Sequence, residues 1–289
     1  MGTSRGISTP SGGPWTDAKR RITSVLDGAE AVAAGGGQPT QEEIVQSVLQ
    51  AMGGLGLGIP AISRGGRSGN VGAGGGGGSS RQSSGVGRAG GGRDGASRAK
   101  SRAVGKSIAG LGGFGSAVRD RGLTEALRDI NLGELEGRPA AEVIATVSER
   151  LAEGSSGVDA ELLRTALNET ILEAAQLNEE VAYTDLEAGL QSFLNENGVE
   201  GLVELFLTRF VTDLVTAAVF EHIDTKAENA AQAEALLSGI ETACRNKAQA
   251  TIAAYRTSGQ FSRTNWFGGA GSRLGREIAG AMLTELGAQ

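Results

Sequence analysis

Apolar residues along this chain recur at helical spacing. Ile22, Val25 and Leu26 share one face after Thr16, which reads as an N-cap, and predict a helix from Thr16 to about Ala34, weakened by Gly28 and ended by Gly35-Gly36-Gly37. Thr40-Gln41-Glu42-Glu43 is a capping box, and Ile44, Val45, Val48, Leu49 and Met52 follow as one stripe that Gly53-Gly54 closes. The helical signal returns at Gly122. A short helix is expected over Leu123 to Ile130, and a second over Pro139 to about Ala152, with Pro139 as its first residue and Val143, Ile144, Val147 and Leu151 facing inward. Asp159 is placed to cap a third, whose apolar face includes Leu163, Ala166, Leu167 and Ile171. A fourth starts at Thr184 or Asp185 and ends at Asn197-Gly198. Val199 to Glu221 is apolar on most sides and predicts the buried central helix. Lys226 to Tyr255 is long and alanine-rich, a loop spans Ser258 to Phe267, and a last helix runs from about Gly271 to Leu286.

Without a run of strand-like alternation, the expected class is all-α: a helical bundle over residues 122–289, preceded by a flexible tail (1–15), two short helices (16–52) and a basic glycine-rich linker (53–121). The linker is expected because 25 of the 48 glycines fall between residues 53 and 122, including the run Gly74 to Gly78. Ordering such a chain costs roughly 1–2 kcal/mol per residue, with little apolar surface to bury in return. Ser97 to Val118 has some helical character, but Gly105, Gly110, Gly112, Gly113 and Gly115 weigh against it.

Charge is segregated in the same way. Eleven Lys or Arg and two Asp lie between Pro60 and Arg121, a local balance of +9, against −6 for the whole chain. Arg64, Arg67, Arg81, Arg88, Arg93, Arg98, Lys100, Arg102 and Lys106 are therefore candidates for salt-sensitive nucleic-acid contact. Phe114 is the one aromatic there for base stacking, so a solvated linker is the simpler reading.

With one cysteine, Cys244, and one histidine, His222, an internal disulfide is impossible and a Cys/His zinc site lacks ligands. No metal or cofactor is expected. The N-terminus lacks the apolar core of a secretory signal, and the nearest approach to a membrane span, Val199 to Phe220, is broken by Glu204, Arg209 and Asp213. The chain is expected to be soluble and cytoplasmic. Gly105-Lys106-Ser107 imitates the end of a P-loop, but Lys100 stands where its first glycine belongs; the glycine run from Gly72 lacks the strand–loop–helix context of a dinucleotide site. His222 reads as a helix-end histidine near the C-terminal dipole, and Cys244 as a packed mid-helix side chain. Gly271, Gly275 and Ala279 recur every four residues, permitting close helix approach. Beside them, Trp266 and Phe267 are candidates, with Trp15, for a partner interface.

The N-terminus is the remaining chemical feature. Removal of Met1 would leave the amine of Gly2, unhindered by a Cβ and with a pKa roughly two to three units below that of lysine. N-myristoylation is excluded, because Gly6 occupies the position that needs Ser or Thr. The opening Met1-Gly2-Thr3-Ser4-Arg5-Gly6, followed by Ser8, Pro10 and Gly12-Gly13-Pro14-Trp15-Thr16, resembles the QatB family, the second component of the four-gene bacterial Qat anti-phage defence system. The glycine-rich middle and the helical half ending near Trp266-Phe267-Gly268 are similar too. That resemblance implies a non-enzymatic component whose partners are a QueC-like synthetase (QatC type), a P-loop ATPase (QatA type) and a TatD-like nuclease (QatD type). It further implies that Gly2, with Met1 to Gly6 as the recognised motif, would be joined to a 7-deazaguanine base. An adaptor that binds nucleic acid through the basic tract is the alternative.

Overall fold

The computed structural model describes residues 12–27, 39–52, 92–153, 158–177 and 182–285, and every regular element among them is helical. The all-α expectation holds. The expected tail up to Ser11, most of the glycine-rich linker (53–91) and the end of the first predicted helix lie outside the described residues.

Helix α1 (Gly13–Leu26) buries Trp15, Ala18, Ile22 and Leu26 at three- and four-residue spacing. It starts a turn earlier than expected. Gly12, at φ 110°, takes the N-cap position, Pro14 sits in the first turn where a missing N–H costs nothing, and Thr16 lies inside, its Oγ1 donating to Gly12 O at 3.2 Å. In α2 (Gln41–Ala51) the capping box forms as predicted: Glu43 N donates to Thr40 Oγ1 at 3.2 Å and Thr40 N to Glu43 Oε2 at 3.0 Å. The two helices pack on each other and against α7 and α8.

The main correction concerns α3 (Gly92–Arg121), whose 30 residues form the C-terminal part of a stretch expected to be linker. From Val104 to Val118 it is enclosed on nearly every side, with Lys106 the one exposed residue, and it packs on α10, α7, α4 and α5. Its glycines are points of close approach. A Cβ on Gly112 would lie 2.5 Å from the Trp266 ring, on Gly113 2.8 Å from the Phe267 ring, and on Gly110 2.9 Å from Leu151. Each interior glycine costs about 0.5–1 kcal/mol of helix stability relative to alanine. Burying Val104, Ile108, Leu111, Phe114 and Val118 contributes roughly 1.5–3 kcal/mol apiece. Packing wins, and the helix forms.

Helix α4 (Leu123–Asp129) follows Gly122, at φ 88°, and its first N–H is satisfied by Glu187 Oε1 at 2.8 Å. A single 3-10 turn (Gly133–Leu135) leads to α5 (Ala140–Leu151), where Pro139 is the N-cap residue rather than the first helical one. Ser107 Oγ donates to Leu151 O at 3.1 Å, and Lys106 Nζ to Glu153 O at 3.0 Å. The apparent P-loop ending thus caps a helix C-terminus. Helix α6 (Val158–Ala174) begins one residue ahead of Asp159, its expected cap.

Helix α7 (Tyr183–Lys226) is two helical segments meeting at Gly198, which has φ 67° and ψ −179°. The break falls where Asn197-Gly198 predicts a helix end. The second segment buries Leu202, Val203, Phe206, Leu207, Phe210 and Val211 in the core, with the Phe206 and Phe210 rings stacked at 6.0 Å. Helix α8 (Ala230–Thr257) is capped by Asn229 and packs on α7 and α2. A one-turn α9 (Gln260–Arg263) sits in the predicted loop before α10 (Gly269–Glu285). No described helix is long and apolar enough to cross a membrane.

Candidate functional site

Three elements meet at one end of the bundle: the last turns of α3, the break in α7, and the connection from α9 to α10. They enclose an open groove of about 770 Å³. Trp266 forms part of its wall. The Trp266 ring is buried against Gly112, pairs with Phe261 at a centroid distance of 5.5 Å, and donates Nε1–H to Phe261 O at 3.2 Å. Phe267 follows and remains 51% exposed. Asn195, Asn197, Ser262 and Asn265 supply polar lining.

The charged lining is balanced in number, with Arg119, Arg121 and Arg256 against Asp120, Glu196 and Glu200. Arg119 Nε meets Asp120 at 2.8 Å, and its pKa is raised by that hydrogen bond. Arg121 pairs with Asp129, whereas Arg256 lies 3.8 Å from Glu200 and 3.9 Å from Glu204. Exposed pairs of this kind contribute about 0–1 kcal/mol each to stability. Their consequence here is electrostatic neutrality.

The two singular residues sit elsewhere. His222 Nε2 lies 3.1 Å from both Lys19 O and Thr23 Oγ1, tying α7 to α1. Burial lowers its pKa, so the neutral ring that donates to Lys19 O is the form held at neutral pH. This is a cross-helix contact, more specific than the dipole interaction expected. Cys244 is fully buried, and burial pushes its thiol up to about 12. It packs, as expected, and no thiolate is present at physiological pH.

Among the described residues, Asp213 is the most perturbed carboxylate. Burial between α6, α7 and α8, reinforced by Glu169 and Glu241 and opposed by Arg209, raises its pKa from 3.8 to about 6, and its Oδ2 has no hydrogen-bond partner. Because the folded value exceeds the unfolded one, ionisation of Asp213 destabilises the fold progressively between pH 4 and 6 and fully above that. Allowing for partial solvent screening, Asp213→Asn should stabilise the chain by about 1 kcal/mol at pH 7.5, read as a higher melting temperature. The gain should shrink toward zero at pH 4; an equal gain at both values would show that ionisation is not its cause.

The remaining sequence candidates are placed as follows. Trp15 is buried in α1 with Lys19 Nζ 5.4 Å from its ring centroid, and Trp266 is buried as described, so neither offers its ring to an outside partner. Gly275 faces the Gly105 carbonyl and Ile108 of α3, and a Cβ on Gly271 would meet the backbone of Trp266. The four-residue glycine spacing therefore serves packing inside the chain. Phe267 is the interface candidate that stays on the surface. Met1 to Gly6 lie outside the described residues, as do Arg64, Arg67, Arg81 and Arg88. Arg93, Arg98, Lys100 and Arg102 fall within α3. The polar groove lining was not anticipated. Its one sequence signal was the Asn197-Gly198 break, read as a helix end.

A family model described as "Qat anti-phage system associated protein QatB" matches residues 90–266, more than half of the chain. The chain belongs to the QatB family. The matched span opens at the start of α3 and closes at Trp266, so the helix taken for linker lies inside the family's common region. Membership gives the chain a role in the Qat anti-phage defence system, and the family description indicates no enzymatic domain. No curated protein and no solved structure matches.

Proposed function

We propose that this QatB-family chain is a non-enzymatic, cytoplasmic component of the Qat system, the protein substrate and binding partner of a QueC-like synthetase of the QatC type. Removal of Met1 exposes the Gly2 amine, which attacks the acyl carbon of a 7-deazaguanine base activated by the synthetase at the expense of ATP. The amine supplies the electron pair for the new amide and loses a proton, and the activating group departs. Met1 to Gly6 form the motif that enters the synthetase; the helical body holds the other end of the tail, and QatA-type and QatD-type proteins are further partners.

The observation that carries this reading is the QatB family match over residues 90–266. The placement of the singular side chains supports it: His222 is engaged between α1 and α7, and the Cys244 thiol is buried and protonated. Coexpression with the synthetase, followed by mass analysis of the N-terminal peptide, tests it. The expected result is a base adduct on Gly2 that vanishes in Gly2→Pro. A peptide of unmodified mass alone, or an adduct that survives Gly2→Pro, overturns the reading.

A further inference from the structure

The groove beside Phe267 has a construction that packing alone does not require. Gly113 leaves the α3 backbone bare where a Cβ would stand 2.8–3.0 Å from the Phe267 ring, so one edge of that ring is seated against the helix. Even so, 51% of Phe267 is exposed, whereas its neighbour Trp266 is 4% exposed. An apolar ring backed by a helix at the rim of a cleft and open on its other side presents the kind of aromatic surface that marks binding hot spots.

The rest of the lining is polar, and its arginines Arg119, Arg121 and Arg256 are equalled in number by Asp120, Glu196 and Glu200. Asn195, Asn197 and Asn265 place three carboxamides on the groove, and Asn197 is steadied by donating Nδ2–H to Phe193 O at 3.2 Å. A carboxamide carries one acceptor oxygen and an NH2 donor, the same complement that a peptide unit presents. The arginines on the groove are each matched by a carboxylate, so phosphates would find no uncompensated positive charge.

We propose that this groove docks an extended, uncharged polypeptide segment of a partner protein, its main chain paired with the Asn195, Asn197 and Asn265 amides and an aromatic or proline side chain laid on the open face of Phe267. Affinity then comes from main-chain hydrogen bonds and selectivity from the ring.

The test is a phage-displayed library of random twelve-residue peptides selected on the full unmodified chain, with the enriched peptides measured in solution against variants. Uncharged sequences carrying aromatic residues or proline should emerge. Phe267→Ala should weaken their binding at least about tenfold and Asn195→Leu about threefold or more, with melting temperatures close to the parent's. Should Phe267→Ala fail to fold, Asn195→Leu, a surface change, decides alone. The proposal is overturned if no peptide discriminates the parent from either folded variant, or if the enriched sequences are uniformly acidic or basic. It is equally overturned if Phe267→Ala abolishes binding of a fluorescent single-stranded DNA twelve-mer, or breaks a concentration-dependent dimer.

Discussion

Gly275→Leu should unfold or severely loosen the bundle. A Cβ at this position would come closer than 3.0 Å to the Gly105 carbonyl oxygen and to 3.1 Å from Ile108 Cβ, and neither backbone nor core can yield cheaply. Overpacking a filled interface costs about 1–3 kcal/mol, and a clash of backbone against side chain lies at or above the top of that range. Helices α3 and α10 would have to separate along their shared length. Gly269→Ala and Gly13→Ala are the matched controls. Nothing lies within 4 Å of a Cβ at either position, so these changes should be neutral or stabilising by a few tenths of a kcal/mol. Urea denaturation of the three variants separates the outcomes. A Gly275→Leu chain as stable as its parent would mean that α3 is not docked on α10 in solution.

Trp266→Ala is the second large effect, of about 3–5 kcal/mol, or roughly 10 °C in melting temperature. The ring fills the space left by Gly112, pairs with Phe261, and spends its indole N–H on Phe261 O. Its loss leaves a cavity against the bare helix backbone at Gly112. Trp15 is then the sole tryptophan and reports on the α1 end of the bundle by fluorescence. A loss below 1 kcal/mol would show that the α9–α10 connection is not anchored through this ring. Phe267→Ala, one residue on, should change stability little, because half of that ring is already in water.

The local devices were legible wherever one short segment carries its own physics. The Thr40–Glu43 capping box formed as read, because all its bonds lie within four residues. The break at Gly198 was visible because a positive φ is open to glycine at little cost. The inward face of α5 followed from spacing alone, and the burial of the second part of α7 from its being apolar on most sides. The shifts at Thr16, Pro139 and Asp159 are a residue to a turn at helix ends, where neighbouring residues compete for the same cap.

Helix α3 was not legible, and the reason is general. By intrinsic propensity, five glycines between Gly105 and Gly115 argue against a helix. That argument considers one helix in water, where a missing side chain is only a loss of order. Against Trp266, Phe267, Leu151 and the backbone of α10, the missing side chain is what lets neighbours come close enough to enclose the helix. The groove was hidden for the same reason, since its walls come from segments roughly 60 to 150 residues apart.

The sequence by itself determined the all-α class, the capping and breaking of individual helices and the scarcity of reactive side chains, because these depend on neighbours along the chain. Only the tertiary structure decided that a glycine-rich stretch becomes the enclosed central helix, that Trp15 and Trp266 are core while Phe267 is surface, and that His222 joins two helices. Those outcomes depend on which distant surfaces meet, and burial against them outweighs local preference.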